Sequence, residues 1–168
     1  HKKRFCLSIA IQIASDCEHP PTDMLESWAL CARKYGAKDS ASKSEHREIL
    51  LRIVDKTEML GLNANYREKA KVTNVLSFPA DIPELPAENI GDESGLPMGD
   101  IVICAPIIME EANDQSKSVT AHWCHMVVHG VLHLYDFDHN KDSDAITMEA
   151  LEIKILAKLG YPNPYQVY

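Results

Sequence analysis

The stretch His129-Gly-Val-Leu-His133-Leu-Tyr-Asp-Phe-Asp-His139 decides how this chain is organised. His129 and His133 are four residues apart, so on an α-helix both imidazoles lie on one face and can reach a single metal ion. His139 joins them if the helix ends one or two residues after His133 and the chain turns back. Three protein ligands leave a fourth position of a zinc ion for water, so the spacing predicts a catalytic site and hydrolysis by metal-activated water.

The same histidine spacing occurs in the metzincin proteases, whose motif is H-E-x-x-H-x-x-G-x-x-H. Those enzymes need a glutamate directly after the first histidine as general base, and this chain has Gly130 there. Because glycine cannot move a proton, a zinc-dependent protease-like hydrolase is the alternative rather than the favoured interpretation. His122 and His125 precede the motif on the same helix, and we interpret them as core residues or as hydrogen-bond partners of the ligands.

Apolar periodicity indicates the elements around this helix. The helix itself is apolar on most sides and begins at Ser118 or Thr120, which predicts a buried central position. The predicted strands are Phe5–Ile13, Glu48–Val54, Val72–Phe78 and Asp100–Cys104. The other predicted helices are Thr22–Gly36, Asp55 to about Leu62, Pro106–Asn113 and Ser143–Gly160. For the first of these, the Thr22-Asp23 pair offers an N-cap and Glu26 completes a capping box. The last places on one side Ile146, Glu149, Ile153, Leu156 and Leu159. Residues 80–98 are predicted to be an exposed loop. Strands interleaved with helices predict an α+β or mixed α/β arrangement, and we expect one α+β domain over residues 1–168.

Composition limits the function classes. The chain has 168 residues and a formal net charge of −8, which argues against nucleic-acid binding by bulk electrostatics. An RNA substrate would therefore need a local basic surface. The five cysteines are odd in number and lack a C-x-x-C pair, which is typical of reduced thiols in a cytoplasmic protein. No apolar run is long enough to cross a bilayer.

Three segments together resemble a known family. They are His129-Gly-x-Leu-His-Leu-x-x-x-Asp-His139, Tyr66-Arg-Glu-Lys-Ala-Lys-Val-Thr-Asn-Val-Leu-Ser-Phe-Pro79 and Gly99-Asp-Ile-Val-Ile103. In this order they resemble the signatures of the YbeY family, bacterial metal-dependent endoribonucleases that act in ribosomal RNA maturation. The sequence departs from that pattern at Asp136 and Phe137, where the family has Gly and Tyr, and at Ala70, where it usually has Asp.

The resemblance implies a fold and an activity. It implies a mixed, roughly four-stranded sheet packed with helices, with a zincin-like metal helix at its centre. It also implies cleavage of single-stranded RNA in ribosomal RNA processing, including maturation of the 16S rRNA 3′ end, and a role in ribosome quality control. The implied partners are the small ribosomal subunit and ribosome-associated proteins. A non-catalytic ribosome assembly factor with a structural metal is the second alternative.

Candidate site residues follow from chemistry and from the matched segments. We predict that His129, His133 and His139 bind zinc, although histidine also suits nickel, copper or iron. Arg67 is the candidate catalytic cation, since a guanidinium binds phosphate oxygens in pairs and is always charged; the alternative is a solvated surface arginine. Candidate RNA-binding residues, each of which could instead be an ordinary surface or strand residue, are Lys69, Lys71, Asn74 and Ser77.

The general base is open at the level of sequence. Asp138 adjoins a predicted ligand, and a carboxylate in that position more often orients a metal-bound imidazole than moves a proton. Asp136 and Glu149 are other candidates, and metal-activated water requires no protein base.

Overall fold

Strands and helices alternate along the first half of the chain, and helices follow one another along the second half. The computed structural model describes residues 9–37, 47–67, 73–80, 96–135, 137 and 142–166. In chain order its elements are β1 Ile9–Ala14, α1 Thr22–Gly36, β2 Glu48–Val54, α2 Lys56–Arg67, β3 Val75–Pro79, β4 Pro97–Cys104, α3 Ala105–Asp114, α4 Val119–Leu134 and α5 Asp142–Lys158.

The four strands form one mixed sheet in the order β1-β2-β4-β3. β1, β2 and β4 run parallel, and β3 pairs antiparallel with β4. Parallel strands need helical crossovers and are covered on their faces, which explains the dense aliphatic sequence of β2 and β4. The predicted α+β fold with a mixed four-stranded sheet is confirmed for the described residues. Among those residues, no helix is both long and apolar enough to cross a membrane.

Helix α4 lies at the centre of the larger hydrophobic core, as predicted. Eleven of its sixteen residues are buried, and Ser118 caps it by accepting a hydrogen bond from Ala121 N at 3.3 Å. The helix ends at Leu134, where the backbone N–H groups of Tyr135 and Phe137 donate to Leu132 O at 3.0 and 3.2 Å. The bond from Phe137 is the 6→1 type that turns a chain at a helix end. The predicted end of helix α4 is therefore confirmed.

Gly130 allows α4 to approach the sheet closely. A Cβ atom at this position would lie 2.7 Å from Ile101 Cγ2 and 3.4 Å from both Ser77 Oγ and Val75 Cγ2. The Ser77 hydroxyl donates to Gly130 O at 2.9 Å, which ties the helix to the edge strand β3. A glutamate at position 130, as the proteases require, would have to enter this packed contact.

The predicted capping box at the start of α1 is wrong. Pro21 occupies the N-cap position with extended φ and ψ of −54° and 145°, and no side chain caps the helix. Instead, Pro21 O accepts from Met24 N and Leu25 N, both at 3.1 Å. Proline fixes φ near the value that a helix entrance needs, so the helix begins one residue earlier than capping by Thr22 requires.

Two predicted boundaries also differ. Strand β4 begins at Pro97 rather than Asp100. Pro97 takes the first position of the strand, and the register between β2 and β4 shifts between Glu48 and Ile49. The first position of a strand tolerates proline, and a bulge tolerates glycine. Helix α2 continues past Leu62 to Arg67, since Asn63 is buried and extends the packed face.

The predicted buried face of α5 is partly wrong. Ile146 is 67% exposed, whereas Met148, Glu152, Ile155 and Leu156 are buried. Glu152, Ile155 and Leu156 follow Met148 by four, seven and eight positions, so the four residues lie on one face of the helix. A fully buried carboxylate therefore lies in the middle of the packed side of α5.

Candidate metal centre

His129 and His133 bring their Nε2 atoms together, as their spacing on α4 predicts. The two nitrogens lie 3.0 Å apart, and the ring planes are nearly perpendicular at 81°. Both residues are partly exposed, while the helix that carries them is mostly buried. Packing of the helix backbone thus fixes the position of two side chains that still reach the surface.

Glu152 on α5 holds the opposite nitrogen of His129. Its Oε1 accepts from His129 Nδ1 at 2.6 Å, and its Oε2 accepts from His125 Nε2 at 2.8 Å and from the hydroxyl of Tyr165. The carboxylate is 0% exposed. Burial raises the pKa of Glu152, but the hydrogen bonds and positive charge of His125 and His129 outweigh it and lower that pKa well below its usual range.

These contacts determine which nitrogen of each imidazole carries a proton. A ring nitrogen that lies 2.6 or 2.8 Å from a carboxylate oxygen must donate, so Nδ1 of His129 and Nε2 of His125 are N–H groups. In neutral His129 the lone pair is then on Nε2, the atom that faces His133. This tautomer is the one that a metal ion between His129 and His133 requires.

The same neighbourhood contains a second group of possible ligands. One nitrogen each of His125 and His129 and one oxygen of Glu152 lie within 4.8 Å of one another, so these three residues could hold a metal ion. Histidine and carboxylate donors suit zinc and other divalent transition metals. The side chains of this neighbourhood thus fit a metal ion chemically.

His122 and His125 are buried and paired with carboxylates, which matches their interpretation as core or supporting residues. His122 Nε2 lies 3.0 Å from Glu111 Oε1, and the amide of Asn74 donates to the same oxygen at 3.1 Å. Burial lowers the pKa of His122, although the hydrogen bond that its imidazole donates to Glu111 opposes that change. His125 contributes its ring to the Glu152 cluster described above.

Comparison with known proteins assigns the family. A family model described as Endoribonuclease YbeY matches residues 12–160. The chain belongs to the endoribonuclease YbeY family. A protein named Endoribonuclease YbeY from Pseudomonas syringae pv. syringae is 44% identical over 160 residues, covering 95% of this chain and 88% of the relative. Another of that name from Alcanivorax borkumensis is 53% identical over 118 residues, covering 70% of this chain and 66% of the relative.

A solved structure shares the fold of this chain. The solution structure of TM1509 from Thermotoga maritima has a TM-score of 0.54 and 20% sequence identity, and the match covers 95% of this chain and 99% of that one. At this identity the likeness shows the fold alone. The family resemblance inferred from the three sequence segments is confirmed.

Only some of the other predicted site residues lie in the part of the chain that the structure describes. Arg67 is the last residue of α2, but its side chain lies outside the described part of the structure. Asn74 directly precedes β3 and donates to Glu111, and Ser77 lies in the middle of β3 and donates to Gly130 O. Their role in RNA binding stays a prediction. Four predicted site residues lie outside the described ranges, namely Lys69, Lys71, Asp138 and His139. Ala70 and Asp136, where the sequence departs from the family pattern, also lie outside those ranges.

Sequence reasoning missed Glu152 and Tyr165. Glu152 is 23 residues from His129 in sequence, and Tyr165 is 40 residues from His125, so no local spacing connects them. One signal for Glu152 was present: it shares helical spacing with Met148 and Ile155, which placed an acid on an apolar face. Nothing in the local sequence of Tyr165 indicates its contact with a carboxylate.

Proposed function

We propose that this protein is a zinc-dependent endoribonuclease that cleaves single-stranded RNA in ribosomal RNA processing. Membership of the endoribonuclease YbeY family supports the nuclease activity and RNA as the substrate. The observation that carries the metal dependence is the convergence of the Nε2 atoms of His129 and His133 at 3.0 Å, with His129 Nδ1 already engaged by Glu152.

We propose that the ion binds between His129 and His133, and that Glu152 supports His129 without being a ligand. Two nitrogens about 2.0–2.1 Å from a tetrahedral zinc ion lie about 3.3 Å apart, close to the 3.0 Å distance between the Nε2 atoms. The contacts of Glu152 with His129 and His125, at 2.6 and 2.8 Å, are instead hydrogen-bond distances with a proton in each. An ion bound by His125, His129 and Glu152 would have to replace the protons on His125 Nε2 and His129 Nδ1 and move these nitrogens away from the carboxylate oxygens.

His139 is the proposed third ligand. It follows the end of α4 by five positions, and the hydrogen bond from Phe137 to Leu132 shows the chain turning at that end. Asp138 is proposed to hold a ligand imidazole in orientation through a hydrogen bond, the usual use of a carboxylate beside such a histidine.

The remaining chemistry is assigned to residues of this chain. A divalent ion held by His129, His133 and His139 would supply polarisation of a phosphodiester oxygen and a water of lowered pKa. Arg67 is proposed to bind the phosphate oxygens on which negative charge increases, and Lys69 and Lys71 to continue that positive surface along the RNA backbone. Gly130 packs against the sheet and offers no proton-transfer group, unlike the glutamate of the proteases.

Single-stranded RNA is the proposed substrate for a physical reason. An unpaired backbone can bend and bring one phosphate to a recessed ion, which a stiff duplex cannot do as easily. The net charge of −8 also means that binding depends on a few local cations rather than on the whole surface. We further propose a cytoplasmic location, with the small ribosomal subunit and its associated proteins as partners, since precursor ribosomal RNA is found there.

Metal analysis of matched variants tests the metal site. We expect His133→Ala to lose bound zinc and RNA cleavage together, and His125→Ala to retain a substantial share of both. Thermal unfolding of each variant controls for loss of the fold. The opposite pattern, with zinc retained in His133→Ala and lost in His125→Ala, would assign the ion to the group of His125, His129 and Glu152 instead.

Substrate assays test the activity. The purified protein should cleave a single-stranded RNA oligonucleotide, leave the same sequence intact in a duplex, lose activity in chelator and regain it with added zinc. Arg67→Ala should lower kcat without loss of zinc, and Arg67→Lys should recover only part of it. If neither variant changes turnover, or if cleavage continues in chelator, the proposed mechanism is wrong.

A further inference from the structure

Both carboxylate oxygens of Glu152 accept hydrogen bonds. Oε1 accepts from the Nδ1–H group of His129, whereas Oε2 accepts from both His125 and the Tyr165 hydroxyl. A glutamate side chain has several rotatable bonds, so a single hydrogen bond would not fix which way its carboxylate plane faces. Two donors on Oε2 direct Oε1 towards the Nδ1 atom of His129.

Tyr165 reaches this carboxylate from the segment that follows α5, residues 159–166. This tail turns back on α5, where Tyr161 N donates to Leu156 O at 2.8 Å, and its Pro164 O accepts from Lys117 Nζ at 3.0 Å. The Tyr165 ring also packs edge-on against His125, with centroids 5.4 Å apart and planes at 85°. The hydroxyl is thus delivered by a tail that is anchored at both α5 and the segment before α4.

We propose that Tyr165 is a positioning residue for His129, acting through the carboxylate of Glu152. This inference rests on the proposed function, in which His129 and His133 hold the ion. By fixing Oε1 of Glu152, the tail favours the tautomer of His129 that has its proton on Nδ1 and its lone pair on Nε2, towards His133. Tyr165 lies beyond the range matched by the family model, residues 12–160, so the family match does not include this contact.

Tyr161 provides a matched control. It lies in the same tail, and its ring packs edge-on against Trp28 with centroids 5.9 Å apart. Its side chain forms a hydrogen bond with Trp28, whereas the hydroxyl of Tyr165 donates to Glu152. Tyr161→Phe and Tyr165→Phe each remove one hydroxyl from the tail and keep the ring, but only Tyr165→Phe removes a donor from the carboxylate. Phenylalanine is preferred to alanine because Tyr165 lines a cavity of about 630 Å³ that truncation would enlarge.

The experiment measures zinc affinity by competition with a chelator and, separately, the tautomer of His129 in metal-free protein by ¹⁵N NMR. We expect Tyr165→Phe to weaken zinc binding about tenfold, as residues that support a ligand do, and to increase the share of His129 with its proton on Nε2. Tyr161→Phe should leave both measurements unchanged. The NMR readout does not depend on catalysis, and a tail that only stabilises the fold would change the melting temperature without changing either measurement.

The outcomes separate this inference from the proposed function. If Tyr165→Phe binds zinc with wild-type affinity and keeps the wild-type tautomer while His133→Ala loses zinc, the inference is overturned and the proposed function stands. If His133→Ala binds zinc normally, the proposed ion position falls and this inference falls with it. A tenfold weaker affinity in Tyr165→Phe alone, with loss of zinc in His133→Ala, supports both.

Discussion

Replacing Gly130 by alanine tests how closely helix α4 packs on the sheet. The added Cβ would lie 2.7 Å from Ile101 Cγ2, whereas real Cβ contacts essentially never fall below 3.0 Å. Ile101 is 0% exposed, and Cγ2 is attached directly to its Cβ, so this atom can withdraw only if Ile101 leaves its χ1 rotamer or if β4 or α4 moves. Overpacking of this kind costs about 1–3 kcal/mol.

A second glycine separates this cost from the helix propensity of alanine. Gly61 lies inside α2, and among the described residues nothing lies within 4 Å of a Cβ built there. Alanine is favoured over glycine in a helix interior by about 1 kcal/mol at either position. Gly61→Ala should therefore stabilise the protein by up to about 1 kcal/mol, and Gly130→Ala should leave it about 1–3 kcal/mol less stable than Gly61→Ala.

Urea denaturation of the three proteins, followed by circular dichroism at one pH, gives the free energies of unfolding. Equal stabilisation by the two alanine substitutions would refute the close contact between α4 and β4. It would also remove the packing reason for a residue without a side chain directly after His129.

Three further predictions concern contacts around the sheet. Ser77→Ala should lower the free energy of unfolding by about 1 kcal/mol, because it removes the hydrogen bond to Gly130 O. The KM for RNA should stay unchanged. A raised KM without lost stability would instead favour the RNA-binding role of Ser77. Burial lowers the pKa of His122 in the folded state below its ordinary value of 6.5, so its contribution to stability should fall as the pH drops below 6.5. The variant His122→Gln should therefore lose less stability than wild type between pH 7 and 5.5, and an unchanged dependence of unfolding free energy on pH would contradict this. The hydrogen bond from Arg52 lowers the pKa of Glu58 below 4.5, so the stabilisation by this ion pair is complete above that pH and is lost on acidification. Because both side chains are partly exposed, Glu58→Gln should lower the free energy of unfolding by at most about 1 kcal/mol at pH 7. A variant as stable as wild type at pH 7 would show that the pair contributes nothing.

Much of the fold could be predicted from local sequence. The bounds of β2 are as predicted, and α4 ends where the ligand spacing required. The start of β4 was missed because Pro97 and Gly99 resemble a loop in sequence, although a bulged strand accommodates both. The buried face of α5 was missed because its apolar residues fit more than one helical face, and only packing against α4 selects Met148 over Ile146.

The sequence by itself determined that His129 and His133 lie on one face of α4, because residues four apart share a helix face whatever the rest of the chain does. Only the tertiary structure decided what holds them. The partner of His129 is Glu152, 23 residues away, and the donor that fixes Glu152 is Tyr165, from the tail beyond α5. Contacts between separate elements depend on how helices pack, so the residues that set an imidazole's tautomer are visible only after the chain has folded.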